Sequence, residues 1–189
     1  MELETSTGVN SRKMVFWTFL GSECMFFGSL IATYLVYKGR SPIGPYPPEI
    51  LDIPLTSVST FDLLMSSLAM VLALAAIQRG DIPKLKLWLA VTAGLGLVFL
   101  GFQAYEFTHF VHEGLTLKRN LFGSSFFVLT GFHGTHVAVG VVWLLSLLAL
   151  AFKGDLSQAD SLDVEIAGLY WHFVDVVWIV IFTVVYLIE

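Results

Sequence analysis

The chain alternates long apolar runs with short polar breaks. A membrane-spanning helix needs about 20 predominantly apolar residues. Five runs meet that length: residues 14–37, 59–77, 85–107, 121–152 and 164–188. Within the runs the apolar positions are continuous rather than alternating with period two. That pattern disfavours a β-barrel. Lipid offers the backbone no hydrogen-bond partners, so each run must satisfy its own polar groups as a helix. The fold class read from this pattern is all-α: an integral membrane bundle of five transmembrane helices forming one domain over residues 1–189. There is no low-complexity segment, long repeat or second domain.

The breaks agree with the runs. Five of the six prolines (Pro42, Pro45, Pro47, Pro48 and Pro54) fall between the first two runs, where they predict an ordered or extended external loop. Arg79-Gly80-Asp81-Ile82-Pro83 predicts a tight turn. Residues 153–163 read as a polar, acidic loop. Residues 1–10 are acidic and polar, unlike a secretory signal.

Composition narrows the class. The 189 residues are 56% hydrophobic and 13% charged, with a mean hydropathy of +0.78. Soluble domains carry about 25% charged residues, so an ordinary cytosolic enzyme is excluded. The net charge of −5 gives no basic field for nucleic acid. Cys24 is the sole cysteine, so neither an intrachain disulfide nor a multi-cysteine metal site can form. Lysines and arginines set the direction. Arg12, Lys13, Arg79, Lys84, Lys86 and Lys153 share one side, and Lys38, Arg40, Lys118 and Arg119 the other. Six against four predicts a cytoplasmic N-terminus and, with five spans, an external C-terminus. Trp88 and Tyr46 are candidate interface anchors.

Ionisable groups inside the apolar runs carry the candidate chemistry, since each costs at least about 2.5–3.5 kcal/mol to insert. Glu23 lies nine residues into the first run, about 13 Å deep. It reads either as a proton-handling or headgroup-binding carboxyl, or as a protonated acid hydrogen-bonded to a neighbouring helix. His133 and His136 are three apart and share a helix face, as do His172 and Asp175. An imidazole and a carboxylate at that spacing can bond each other or point into one interhelical cavity. Interhelical hydrogen bonding is the usual use of such groups. Glu106 and His109 form a Glu-x-x-His unit, which di-iron bundles use twice with two further glutamates. Here it occurs once, so no metal site is expected. His109 and His112 are placed at the outer interface. Gly94-Leu95-Gly96 and Gly101 lie inside an apolar run, where close helix packing explains them better than a phosphate loop.

Several segments together resemble a known family. Ser22-Glu23, Phe26-Phe27 and Ala32-Thr33-Tyr34 lie in the first run, and Gln103-Ala104-Tyr105-Glu106 in the third. Gly123-Ser124-Ser125-Phe126-Phe127 leads through Thr130-Gly131-Phe132-His133-Gly134-Thr135-His136-Val137 to Gly140. Tyr170-Trp171-His172-Phe173-Val174-Asp175-Val176-Val177-Trp178 closes the series. From Ser11 onward the chain resembles subunit III of the haem–copper oxidases, in its short five-helix bacterial form.

The resemblance implies a non-catalytic subunit of a terminal oxidase, cytochrome c oxidase first and quinol oxidase as the alternative. It would pack on subunit I beside subunit II, bind phospholipid, and support proton uptake and complex lifetime in aerobic electron transport. It implies that haems and copper reside in the partner subunits, with no cofactor, metal or catalytic residue in this chain. Seven-helix members carry two further N-terminal helices across a lipid-filled cleft. A small partner subunit supplying extra helices is therefore also implied. Glu23, Glu106, His133, His136, His172 and Asp175 fall on the family's polar intramembrane positions, as a lipid-binding or polar network. With no presequence, the expected location is a bacterial plasma membrane. Three other readings compete: an accessory protein of nitric oxide reductase, a transporter, and a membrane metal enzyme built on Glu106, His109, His133, His136 and His172.

Overall fold

Capping residues decide where the helices start. Asn10, Asp52, Asp81 and Asn120 each accept a backbone N–H from the first turn that follows them. Such caps supply one of the bonds that a helix N-terminus lacks. In the computed structural model, which describes residues 10–41, 44 and 51–188, the helices are α1 (Ser11–Tyr37), α2 (Ile53–Gln78), α3 (Ile82–His112), α4 (Leu121–Lys153) and α5 (Ser161–Phe182). A 3-10 turn (Gln158–Asp160) leads into α5, and a π turn (Thr183–Leu187) ends it. All five helices are long and apolar enough to cross a membrane. No β-strand occurs among the described residues.

Several helix ends differ from the sequence reading. α2 starts at Ile53, six residues before the apolar run. Pro54 belongs to its first turn rather than to the loop, where its missing N–H removes no helical bond. α3 continues to His112, so His109 and His112 ride on its last turns. α5 starts at Ser161, so the loop before it is shorter than expected. Trp88, a candidate interface anchor, is half-buried against the core. Residues 1–9, Pro42, Pro45, Tyr46, Pro47 and Pro48 lie outside the described residues.

The turn from α2 to α3 is Arg79-Gly80-Asp81, with Gly80 at φ +73°, a conformation that favours glycine. Asp81 Oδ1 caps Lys84 N at 3.1 Å, and Oδ2 lies 2.7 Å from Lys84 Nζ. These bonds to Lys84 hold the Asp81 carboxyl below the ordinary aspartate range.

α2, α3, α4 and α5 pack in sequence, and α5 closes back on α2, making a four-helix ring. α1 leans on the outside of this ring, against α4 and α5. It buries Leu20, Phe27 and Tyr34, one residue every seven, the narrow seam of a helix with one contact face. Its other faces stay apolar and exposed, as at Val15, Trp17 and Met25. That is the surface expected toward lipid. Polar contacts fasten both ends. Arg12 pairs with Asp163 and Lys13 with Glu165 at the N-terminal end. At the other end Lys38 donates to the carbonyls of Val184 and Ile188, in and just after the π turn.

The ring is tight around Trp171. A Cβ added to Gly96 of α3 would sit 2.5 Å from Trp171 Cη2, and one added to Gly140 of α4 would sit 2.9 Å from Cε3 and Cζ3 of the same ring. Both glycines exist to admit the indole.

Candidate functional site

The polar residues of the apolar helices divide into three groups. The first ties α1 to α4. Glu23 Oε2 lies 3.2 Å from His136 Nε2, and both side chains are about four-fifths buried. His136 Nδ1 donates to the Phe132 carbonyl at 2.7 Å. A carbonyl only accepts, so Nδ1 carries a proton, and Nε2 of a neutral ring is a lone pair. The contact with Glu23 therefore holds one proton. Either a carboxylic acid donates to Nε2, or an imidazolium donates to a carboxylate. The pair is neutral in both forms. Tyr170 of α5 donates to the His136 carbonyl at 3.0 Å, and the Phe27 ring packs edge-on at 4.9 Å.

The second group ties α5 to α2. Trp171 Nε1 donates to Ser66 Oγ at 2.9 Å, and Trp178 Nε1 to Thr60 Oγ1 at 2.9 Å. Between them Ser67 Oγ donates to Asp175 Oδ2 at 2.6 Å. Positions 171, 175 and 178 form one helical face, so the three bonds make a ladder along the interface. Asp175 takes its partner from α2, not from His172. The sequence reading left open a bond within that pair, and the structure does not make it. Asp175 Oδ1 is buried without a partner among the described residues. Thr60, Ser66 and Ser67 were missed at the sequence level. Their only signal was a small hydroxyl in an apolar helix.

The third group surrounds α3. Gln103 Nε2 donates to the Thr130 carbonyl of α4 at 2.8 Å. Glu106 Oε1 accepts from Thr56 Oγ1 of α2 at 2.5 Å and from Tyr186 OH of the π turn at 3.5 Å. The Gln-Ala-x-Glu segment thus joins α3 to three neighbours. His109 is exposed on the next turn.

His133 belongs to none of the three. It is fully buried, stacked on Trp178 at 4.8 Å, and edged by Phe99 at 5.8 Å. Neither ring nitrogen has a hydrogen-bond partner among the described residues. His133 and His136 do share the side facing Phe27, as their spacing predicted, but their surroundings differ. Asp62 of α2 also holds a buried oxygen, Oδ2, without a partner among the described residues. Among the described residues, no three His, Cys, Asp or Glu side chains converge as a metal ligand set. The Glu106, His109, His133, His136 and His172 constellation is therefore not assembled.

The family model for cytochrome c oxidase subunit III matches residues 6–189. The chain is 44% identical to the cytochrome c oxidase subunit 3 of Bacillus sp. (strain PS3) over 172 residues, covering 91% of this chain and 83% of that protein. It is 42% identical to the quinol oxidase subunit 3 of Bacillus subtilis (strain 168) over 187 residues, 99% of this chain and 91% of that one. The cytochrome c oxidase subunit 3 of Bacillus subtilis (strain 168) is 43% identical over 173 residues, 91% and 84% of the two chains.

Proposed function

The chain belongs to the cytochrome c oxidase subunit III family, and from that premise we propose that it serves as the non-catalytic subunit III of a haem–copper terminal oxidase. The observation that carries the reading is the match along nearly the whole chain. The bonding pattern supports it. Glu23, Gln103, Glu106, His136 and Asp175 are all engaged between helices, as suits a supporting bundle better than a catalyst.

In this reading the redox centres lie in the larger partner subunits I and II, and this chain packs beside them in the plasma membrane of a bacterium. Its N-terminus faces the cytoplasm, following the excess of Lys and Arg on that side. A partner supplying further helices covers the exposed side of α1. The bundle binds phospholipid and sustains proton uptake through the complex. Relatives of both names resemble the chain to similar extents, so quinol oxidase is the second reading for the electron donor.

Isolation from native membrane in a gentle detergent tests the proposal. The chain is expected to co-purify with a larger haem-bearing subunit, and alone to show no haem absorbance and no oxygen consumption. A stable, fully active single-subunit enzyme would refute it. Assay of the intact complex with reduced cytochrome c and with quinol separates the two donors.

A further inference from the structure

A cavity of about 460 Å³ opens where α2 begins and α3 ends, lined by Asp52, Leu55, Tyr105, Glu106, His109 and Phe110 among others. Glu106 is only 5% exposed, and its Oε1 takes both the Thr56 and the Tyr186 bonds. Its Oε2 has no protein partner among the described residues and is not sealed in. It is the carboxyl oxygen left for the cavity. Asp52 lines the same space, so two carboxyl groups share one cavity. A second hollow, an open groove of about 520 Å³, shares Leu55 and Tyr105 with the first. It continues down α3 past Phe102 and Gly101 to Val98. Its lining is apolar. Gly101 presents no side chain, and a Cβ there would meet nothing within 4 Å. From Glu106 to Val98 the path runs eight residues, about 12 Å along the helix.

An acidic head chamber at the helix ends, opening into an apolar trough that descends the outside of the bundle, has the form of a lipid site. We propose that the Asp52–Glu106 cavity binds the primary ammonium headgroup of a membrane lipid, with an acyl chain along the Leu55–Val98 groove. Charge selects the headgroup. The Asp52 and Glu106 carboxyls supply the negative potential, because the N-terminal end of α2 and the C-terminal end of α3 both reach the cavity and their opposite partial charges offset each other. An ammonium offers three N–H donors to carboxylate oxygens, and such charge-assisted bonds are the strong ones. An anionic headgroup is repelled, and a quaternary ammonium has no N–H to give. The site lies on the α2–α3 side, away from Glu23 and α1. It deepens the lipid-binding part of the proposed function by naming a place and a headgroup class. It does not depend on which electron donor the complex uses.

The test uses the complex purified from native membrane, exchanged into nanodiscs holding equal mole fractions of dioleoyl phosphatidylethanolamine, phosphatidylcholine and phosphatidylglycerol. Lipids retained after detergent washing are counted per complex by native mass spectrometry. The wild type is expected to keep phosphatidylethanolamine about tenfold over phosphatidylglycerol, the ratio one charge-assisted bond gives. Glu106→Gln and Asp52→Asn should each remove most of that preference. Asn can still cap α2, so the second variant separates charge from folding. Glu23→Gln should leave the preference unchanged. Equal retention of the three lipids by the wild type, or an intact preference in both cavity variants, would overturn the proposal. Haem content of the same preparation reads subunit membership separately, so loss of one conclusion does not carry the other with it.

Discussion

Glu23 on α1 and His136 on α4 meet at 3.2 Å across 113 residues of sequence, with one proton between them. The proton makes the pair neutral, which is how a carboxyl and an imidazole can share an apolar interface. Glutamine at position 23 can donate its amide N–H to the neutral ring in the same way. Glu23→Gln is therefore expected to keep subunit retention and thermal midpoint close to wild type. Glu23→Leu leaves Nε2 without a partner and should loosen α1 by about 1 kcal/mol, within the range for interhelical bonds in membranes. If the pair also passes protons, Glu23→Gln slows turnover or shortens catalytic lifetime while assembly stays intact. Unchanged turnover and lifetime would restrict the pair to a structural role.

Trp171 gives a sharper packing test. Gly96→Ala and Gly140→Ala each push a methyl group into its ring, and each should destabilise by roughly 1–3 kcal/mol. The two clashes share one indole, so the double variant should cost less than the sum of the singles. Trp171→Phe removes the atoms nearest Gly96 and should lessen the effect of Gly96→Ala. Detergent-phase thermal unfolding reads all three. Strict additivity would show that the indole does not couple the sites.

The neighbouring residues His172 and Asp175 should behave differently. Asp175 holds a rung to Ser67, so Asp175→Leu is expected to weaken the α5–α2 contact by about 1 kcal/mol. His172 makes no such bond, and His172→Leu should fall within about 0.5 kcal/mol of wild type. Equal losses would mean that the two residues act as one unit after all.

The Asp81 cap predicts a pH response outside the membrane. Its folded pKa is lowered by Lys84, so its contribution is fully present above the unfolded aspartate value. It disappears as pH falls through the folded one. Amide exchange in the first turn of α3, corrected for intrinsic rates, should rise on that acid limb. Asp81→Asn keeps a capping oxygen without a charge and should flatten the response. An unaltered acid limb in that variant would assign it to another group.

The five spans were legible because lipid enforces one pattern on every crossing segment. Their ends were less so. The start of α2 rests on Asp52 and Pro54, residues that read equally well as loop. The candidate residues were also legible, since an acid or imidazole stands out in an apolar run. Their partners were not. Glu23 and His136 lie on different helices, and no local spacing connects them. The hydroxyls are silent for another reason. Ser66 also bonds the Leu63 carbonyl of its own helix, the default of any helical serine, and nothing in sequence marks it as the acceptor for Trp171. Proximity along α5 pointed from His172 to Asp175, whereas geometry across the interface gave Asp175 to α2.

The outlying position of α1 has a bearing on how the protein is made. α1 leaves the ribosome before the other four helices, yet the side-chain bonds that join it to the bundle among the described residues reach forward: to His136, to Asp163 and Glu165, and to the carbonyls of Val184 and Ile188. It must wait in the bilayer as a solitary helix until α4 and α5 are threaded, while α2 and α3 can already pair. Translation order and docking order are thus reversed for this one segment, and a nascent chain halted before α4 would hold α1 without these moorings.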